Sequence, residues 1–467
     1  MVAKAKFAYY FSAYRAKDSS AFDSMKSLAK ALGKHGSFDA VFRYRYRTEP
    51  SLPGVNRTYL YQNLRKLSEA EVSDIERKYL PPYNLIRIMT QVSRNRYPDV
   101  SNLPDDYIMA QIADAWVRFF KEKKPDLFIC GLMDDYAGII GMEVARSMNM
   151  RTVLLFFGGL YSCQYMLADN NFLPIFYRDF TDRQIAEAYK HARDGIVNRE
   201  ILNPQQKETF DAMNNLASAW NFVWMVRNFF SSVKGYYFDI PPVERKMWMS
   251  PFELTRRQVR YFVRPPIMQF IFSKRPQEGE KYVFFPLHFQ DDAALIGAVP
   301  FVSQVEIIEE LAKVMPHGMK LYVKPHPHWK CADMTLSDAQ RMNHLSNVVL
   351  LRPEINAKDL IRNCEAVVMI NSSVGYEALV MKKKIFSLGN FFPPDIIPRL
   401  SQPRDLAKCW GTAPDWKKVE RYIGLHYLHG IIADKEKYAW GKLDEGLSEA
   451  FADAIWQHYN KVKQKKS

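Results

Sequence analysis

Cysteine is scarce in this chain of 467 residues: five, at Cys130, Cys163, Cys331, Cys364 and Cys409, with no C-x-x-C pair and an odd one left over. That pattern speaks against a disulfide framework and against a thiolate zinc site, and it suits a reducing compartment. Long hydrophobic runs are missing too. A membrane-spanning helix needs ~18–20 apolar residues in a row, whereas Phe222–Phe230 is interrupted by Arg227 and Pro266–Phe272 stops short. The opening Met1–Tyr14 leads into no small-residue cleavage site, so a secretion signal is not expected. The expected location is therefore cytoplasmic, with peripheral contact at the inner face of a membrane as a further expectation. Low-complexity tracts and internal repeats are absent, which excludes solenoids and long disordered arms.

Acid is in shorter supply than base, 51 Asp and Glu against 65 Lys and Arg, a formal net charge of +14. Such an excess favours anionic partners: nucleotide donors, phospholipid headgroups or nucleic acid. No motif that reads RNA or DNA accompanies it, so nucleic acid is not expected as a partner. Basic residues gather at Arg256–Arg264 and at Lys461–Lys466. Either run can be a solvated face or a contact with an anionic membrane.

What is present is core-building material: 48% of residues are hydrophobic and 14% aromatic. The length exceeds the roughly 250–300 residues at which one core stops growing, so at least two domains are expected. Two stretches alternate strand-like and helix-like patterns, the mark of parallel sheets wound by crossover helices. In the first, strands are expected at Phe7–Phe11, Ala40–Tyr46, Asp126–Cys130 and Thr152–Phe157. Helices are expected there at Phe22–Leu32, Tyr107–Lys121 and Tyr136–Met148, with an insertion around Pro50–Pro104. Asn171–Gln277 reads as helices plus a linker, with breaks at Pro241-Pro242 and Pro265-Pro266.

The second stretch opens with a strand at Tyr282–Pro286. Ser303 followed by Glu306 then forms a capping box for a helix, whose buried face is Val305, Ile308, Leu311, Ala312 and Met315, and Gly318 ends it. Strands at Leu321–Lys324, Val348–Leu351, Ala366–Ile370 and Lys384–Leu388 alternate with helices at Ala357–Asn363 and Val374–Val380. A last helix is expected over Leu443–Lys461. The expected fold class is α/β, with an N-terminal domain at 1–275, a C-terminal domain at 276–410 and a helical segment at 411–467.

Three motifs fall where these strands end, which is where open parallel sheets place ligands. Lys324-Pro-His326-Pro-His328 couples a cation and an imidazole to two stiff prolines. Lys324 supplies a point charge, and His326 a hydrogen bond or a proton, to a departing phosphate. A histidine that merely caps its loop is the alternative. Asn371-Ser372-Ser373 precedes a helix whose free N–H groups and dipole favour an anion, and Glu377 one turn in can accept from ribose hydroxyls. Ordinary capping by serine accounts for one of the two hydroxyls. His288 and Gln290, in Phe284-Phe-Pro-Leu-His-Phe-Gln290-Asp-Asp292, leave the first strand towards the same place, or are plain loop residues. A metal site at His326, His328 and Cys331 lacks a second cluster to complete it.

In this order, the motifs at 284–290, Lys324–Pro327 and Asn371–Leu379 resemble the capsule polysaccharide biosynthesis family, which includes bacterial Kdo transferases that use CMP-Kdo. The His-Pro step and the serine pair are also similar to those of bacterial polysialyltransferases and, more loosely, teichoic-acid polymerases. The resemblance is good over Lys281–Asn390, weak over Asp126–Gln164 and absent elsewhere. It implies a GT-B-like architecture, two Rossmann-like domains facing a central cleft with extra helices. It also implies inverting, metal-independent transfer of Kdo or a similar acidic sugar from a CMP-sugar to a surface or capsular glycan or glycolipid. No cofactor is expected, the CMP-sugar being a substrate. His326 would act on the donor phosphate, with His288, Gln290, Lys324, Ser372, Ser373 and Glu377 binding the donor.

The chain departs from that family after the strand ending at Phe157. Where an acidic Glu-Asp-Gly step is common, Gly158-Gly159 stands, so the expected base is missing. Asp134 and Asp135, at the end of the preceding strand, are the substitutes: a carboxylate pair can raise one pKa to a useful value. Their alternative is to cap the helix from Tyr136. Two further functions stay open: a CDP-polyol phosphotransferase of teichoic-acid type, or a non-catalytic glycan-binding subunit.

Overall fold

A computed structural model describes residues 5–11, 19–43, 55–81, 106–131, 136–157, 160, 164–169, 171–198, 219–239, 250–288, 303–326, 334–432 and 444–464. By packing, the chain divides into two compact units. Met1–Phe180, Lys234–Trp248 and His429–Ser467 form the first; Thr181–Val233 and Met249–Leu428 form the second. The terminal helix Glu445–Gln464 thus belongs with the N-terminal sheet.

The first unit holds strands β1 (Ala5–Phe11), β2 (Gly36–Phe42), β3 (Asn56–Tyr59), β4 (Leu127–Cys130), β5 (Thr152–Phe157), β6 (Gln164–Ala168) and β12 (Ile431–Ile432). They lie in the order β12-β6-β5-β4-β1-β2-β3. β1 to β5 run parallel, β6 pairs antiparallel with β5, and β12 pairs antiparallel with β6 at the edge of the sheet. Alternation sends Phe7, Tyr9, Ile129 and Val153 to one face. There Met25, Leu28 and Leu32 of the helix Ser19–Gly33, and Phe451 and Ile455 of the terminal helix, complete a core. Tyr10 and Phe128 pack on Trp116 of the helix Asp106–Lys123, with ring centroids 5.5 and 5.1 Å from it. Gly141 lets that tryptophan approach: a Cβ there would lie 2.6 Å from the indole.

The second unit is built on β7 (Tyr282–Pro286), β8 (Lys320–Lys324), β9 (Val348–Leu350), β10 (Ala366–Met369) and β11 (Lys384–Ser387), ordered β11-β10-β7-β8-β9 and all parallel. In both units the five parallel strands follow the doubly wound order, in which the first and fourth strands are neighbours. Two Rossmann-like sheets are therefore present, as the alternating pattern predicts.

Period-two burial sorts the second sheet's faces. Val283, Phe285, Leu321 and Val323 join Val305, Ile308 and Leu311 of the helix Gln304–Val314 in one core. Tyr282 and Tyr322 point the other way and stack with centroids 4.0 Å apart. The Tyr282 hydroxyl donates to the Leu360 carbonyl, 2.8 Å away on the helix Ala357–Asn363. Burial pushes the Tyr322 phenol up to about 12. On the same unit, buried Lys358 donates to the Ile196 and Val197 carbonyls at 2.8 and 3.1 Å, closing the end of the helix Asp182–Asn198.

Two expectations need correction. Pro265-Pro266 does not break the chain: both lie inside the helix Pro251–Ile271. Each removes one ladder donor, but Met268 and Phe272 beyond them are buried in the core and hold the end of the helix in place. Gly318 does not end its helix, which stops at Val314; its φ of +77° instead forms the turn into β8, a conformation glycine adopts cheaply. The strands β3, β6 and β12 and the helices Glu69–Tyr79, Leu336–Asn343 and Trp416–His429 have no counterpart among the expected elements.

On the terminal helix, burial, helped by Arg151 and Lys461, pulls the His458 imidazole from 6.5 down to about 4. The unfolded chain therefore takes up this proton first as pH falls, and the folded state loses stability between pH 6.5 and about 4. Melting curves of His458→Gln should fall less steeply than wild type across that interval. Parallel curves would show that this burial is not felt.

Candidate functional site

The motif residues stand two positions beyond the ends of three adjacent strands. β7 ends at Pro286 and His288 follows; β8 ends at Lys324 and His326 follows; β10 ends at Met369 and Asn371 opens the turn to Ser372-Ser373. Register explains why they gather at one edge. Pro286 pairs with Lys324, and β10 lies on the other side of β7 with Val367 opposite Phe284. β7 and β10 are also where the strand order reverses, the crevice in which doubly wound sheets hold ligands.

Hydrogen bonds fix this edge. The Leu287 N–H donates to the Lys324 carbonyl at 2.9 Å, extending the β7–β8 ladder by one rung. Gln304, the first residue of its helix, clamps the His288 backbone from both sides. Its Oε1 accepts from the His288 N–H at 2.8 Å, and its Nε2 donates to the His288 carbonyl at 3.1 Å. The His288 ring in turn accepts the Asn371 N–H at Nε2, 3.4 Å away, across the β7–β10 boundary. Lys324 is only 5% exposed, and its Nζ donates to the Pro325 carbonyl at 3.3 Å. His326 is half-buried.

The Asn371 side chain is buried and accepts the Phe391 N–H at Oδ1, 3.1 Å. Gly389 makes room for it: a Cβ at 389 would lie 2.0 Å from that oxygen. The two serines divide their work. Ser372 Oγ accepts the Val374 N–H at 3.3 Å, a local cap, whereas Ser373 is exposed and makes no side-chain cap bond to the helix Val374–Val380. One turn in, half-buried Glu377 lies on the same helix. Behind it, the buried Tyr376 hydroxyl shares a 2.8 Å hydrogen bond with His426 Nε2, and burial pushes that phenol up. Gly375 seats the helix against Met369 and Phe392; a Cβ there would come within 2.7 Å of each.

The structure thus gathers His288, Lys324, His326, Asn371, Ser372 and Ser373 on three neighbouring strand ends of one sheet. Gln290, Asp134, Asp135, His328, Cys331 and the Gly158-Gly159 step lie outside the described residues. Among the described residues no three His, Cys, Asp or Glu side chains are grouped to hold a metal ion. Gln304 and Gly389 carry no motif that marks them as part of this site. Gln304 follows a capping serine and looks like any first-turn residue, while Leu388-Gly389-Asn390 carries a Gly-Asn turn signal that locates a turn without revealing what the glycine makes way for. A strand end with one buried lysine, half-buried imidazoles and small hydroxyls can bind a phosphate ester and stabilise charge leaving on it.

Residues 236–418 match the family described as capsule polysaccharide biosynthesis protein. Among solved structures, the chain is similar to KpsC of Thermosulfurimonas dismutans in two forms. The β-Kdo 2,7 transferase is 11% identical, over 74% of this chain and 90% of that one, with a TM-score of 0.33. The β-Kdo 2,4 transferase is 13% identical, over 70% and 87%, with a TM-score of 0.33. A UDP-GlcNAc 2-epimerase of Methanocaldococcus jannaschii with UDP-GlcNAc and UDP is 10% identical, over 96% and 98%, with a TM-score of 0.25. No curated protein matches the chain.

Gly389→Ala should push Asn371 off its Phe391 bond. The expected outcome is a lower melting temperature, by an amount corresponding to about 1–3 kcal/mol. A variant that melts like wild type would show that the close approach at 389 is not needed.

Proposed function

We propose that this chain, whose residues 236–418 match the capsule polysaccharide biosynthesis family, is a nucleotide-sugar glycosyltransferase. The donor is a CMP-sugar carrying Kdo or a similar acidic sugar, and the acceptor is a surface or capsular glycan or glycolipid. The observation that carries this reading is the convergence of His288, Lys324-Pro-His326 and Asn371-Ser-Ser373 on the ends of β7, β8 and β10.

In this reading Lys324 and His326 bind the donor phosphate, and His326 steadies or protonates it as the sugar departs. Ser373, with its hydroxyl uncommitted to the helix cap, adds a donor, and Glu377 takes the ribose hydroxyls. Lys324 sits in a poorly hydrated position, where its attraction for a phosphate is less screened than at an open surface. Transfer is direct, inverting and metal-independent, with a carboxylate removing the acceptor proton; Asp134 and Asp135 are the candidates. The net charge of +14 suits an anionic donor, and an anionic membrane surface is the proposed peripheral partner of a protein acting in the cytoplasm.

In a melting-temperature screen of CMP, CDP, UDP and GDP, CMP is expected to stabilise the protein most. His326→Ala should keep the wild-type melting temperature and lose transfer by at least about 100-fold. Wild-type turnover in that variant would remove His326 from the mechanism. A preference for CDP-glycerol over CMP would redirect the reading to polyol phosphate transfer.

Asp134→Asn and Asp135→Asn, assayed separately, should leave CMP binding unchanged while one of them slows transfer about 100-fold or more. Unchanged turnover in both would mean that the base lies elsewhere.

A further inference from the structure

The helix Pro251–Ile271 is apolar on two opposite sides. One side supplies Met268, buried in the core of the second unit together with Phe272 just beyond the helix end. The other exposes Phe252, Val259, Val263, Ile267 and Phe270, spaced by seven, four, four and three residues. Such spacing puts them on one stripe along the helix. Phe252 is 67% and Phe270 78% exposed, far beyond what single surface aromatics need. A second helix, Ala219–Lys234, extends the patch. Its Phe229 ring lies 5.3 Å from Phe252 and 5.6 Å from Phe230, which is itself 66% exposed.

Charge on these helices is mostly positive. The stretch Ala219–Lys234 carries Arg227 and Lys234 and no acid; Pro251–Ile271 carries four arginines, at 256, 257, 260 and 264, against one acid, Glu253. Arg227 and Arg256 are exposed beside the aromatic residues, and Arg260 and Arg264 are half-buried along the helix. No helix among the described residues is long and apolar enough to cross a membrane. Exposed aromatic rings interleaved with arginine on helices lying side by side fit the boundary of an anionic bilayer: rings reach the acyl edge and guanidinium groups meet phosphates.

We infer that the face formed by Val226, Phe230, Phe252, Val263, Ile267 and Phe270, with Arg227 and Arg256, docks the protein on an anionic membrane surface. This names the surface for the membrane contact of the proposed function, and it is measured without donor or acceptor, so either reading can fail alone. A self-complementary contact between two copies fits less well, because both copies would bring the same positive charge to the interface.

The test is flotation of the full chain with vesicles of phosphatidylcholine alone or of phosphatidylcholine mixed with phosphatidylglycerol. CMP binding and solution mass are measured alongside. Wild type should float with the mixed vesicles, less so at high salt, and should stay in solution with phosphatidylcholine alone. Phe252→Ser with Phe270→Ser, and separately Arg227→Gln with Arg256→Gln, should each weaken flotation about tenfold or more while melting temperature and CMP binding hold. Undiminished flotation in both double variants would overturn the assignment. So would a wild type that ignores both vesicles and is a dimer split by the phenylalanine changes, because the face would then serve self-association.

Discussion

β7 and β10 are neighbours whose crossovers leave in opposite senses, and the candidate site depends on that reversal. From β7 the chain passes through the helix Gln304–Val314, packed on the face of Val283 and Phe285. The connection into β10 uses the helix Ala357–Asn363, on the face where Tyr282 reaches Leu360. Right-handed crossovers send these two helices to opposite faces, and the strand ends where the order reverses form a crevice between them. Groups placed just past β7, β8 and β10 are then brought together by the sheet itself, whatever their separation in sequence.

Having created the crevice, the fold fixes its lining mainly through backbone. Gln304 clamps both backbone groups of His288, the Asn371 N–H meets the imidazole, and Asn371 reaches back to Phe391. Each bond is modest alone, ~1 kcal/mol, but they share partners, so none moves without the next. Glycine appears where this lining is tightest. Gly389 yields to Asn371, and Gly375 to Met369 and Phe392. Preorganisation of this kind is what stabilising a leaving phosphate requires, since groups already in place need no reordering as charge develops.

Much of this was legible from residue order. In the second unit Tyr282–Pro286, Ala357–Asn363 and Val374–Val380 have the limits read from their pattern, because fully buried parallel strands between short amphipathic helices leave strong hydrophobic contrast. Short edge strands escaped. Ile431–Ile432 is two residues long, and its place beside β6 is a long-range fact with no local signal. Pro265-Pro266 misled because propensity counts lost hydrogen bonds and not the anchoring of Met268 and Phe272 beyond them. Within the site the residue types announced themselves, while their supports, Gln304 and Gly389, did not: a clamp and an empty space are properties of three dimensions.

The proposed function requires one nucleotide phosphate to be held at the strand ends of the second sheet. Amide hydrogen exchange of the full chain with and without CMP tests it most directly. Exchange should slow in peptides covering Leu287–His288, Lys324–His326 and Asn371–Val374, with the strands of the first sheet unaffected. Protection confined to other segments, or none at a CMP concentration that saturates binding, would contradict it.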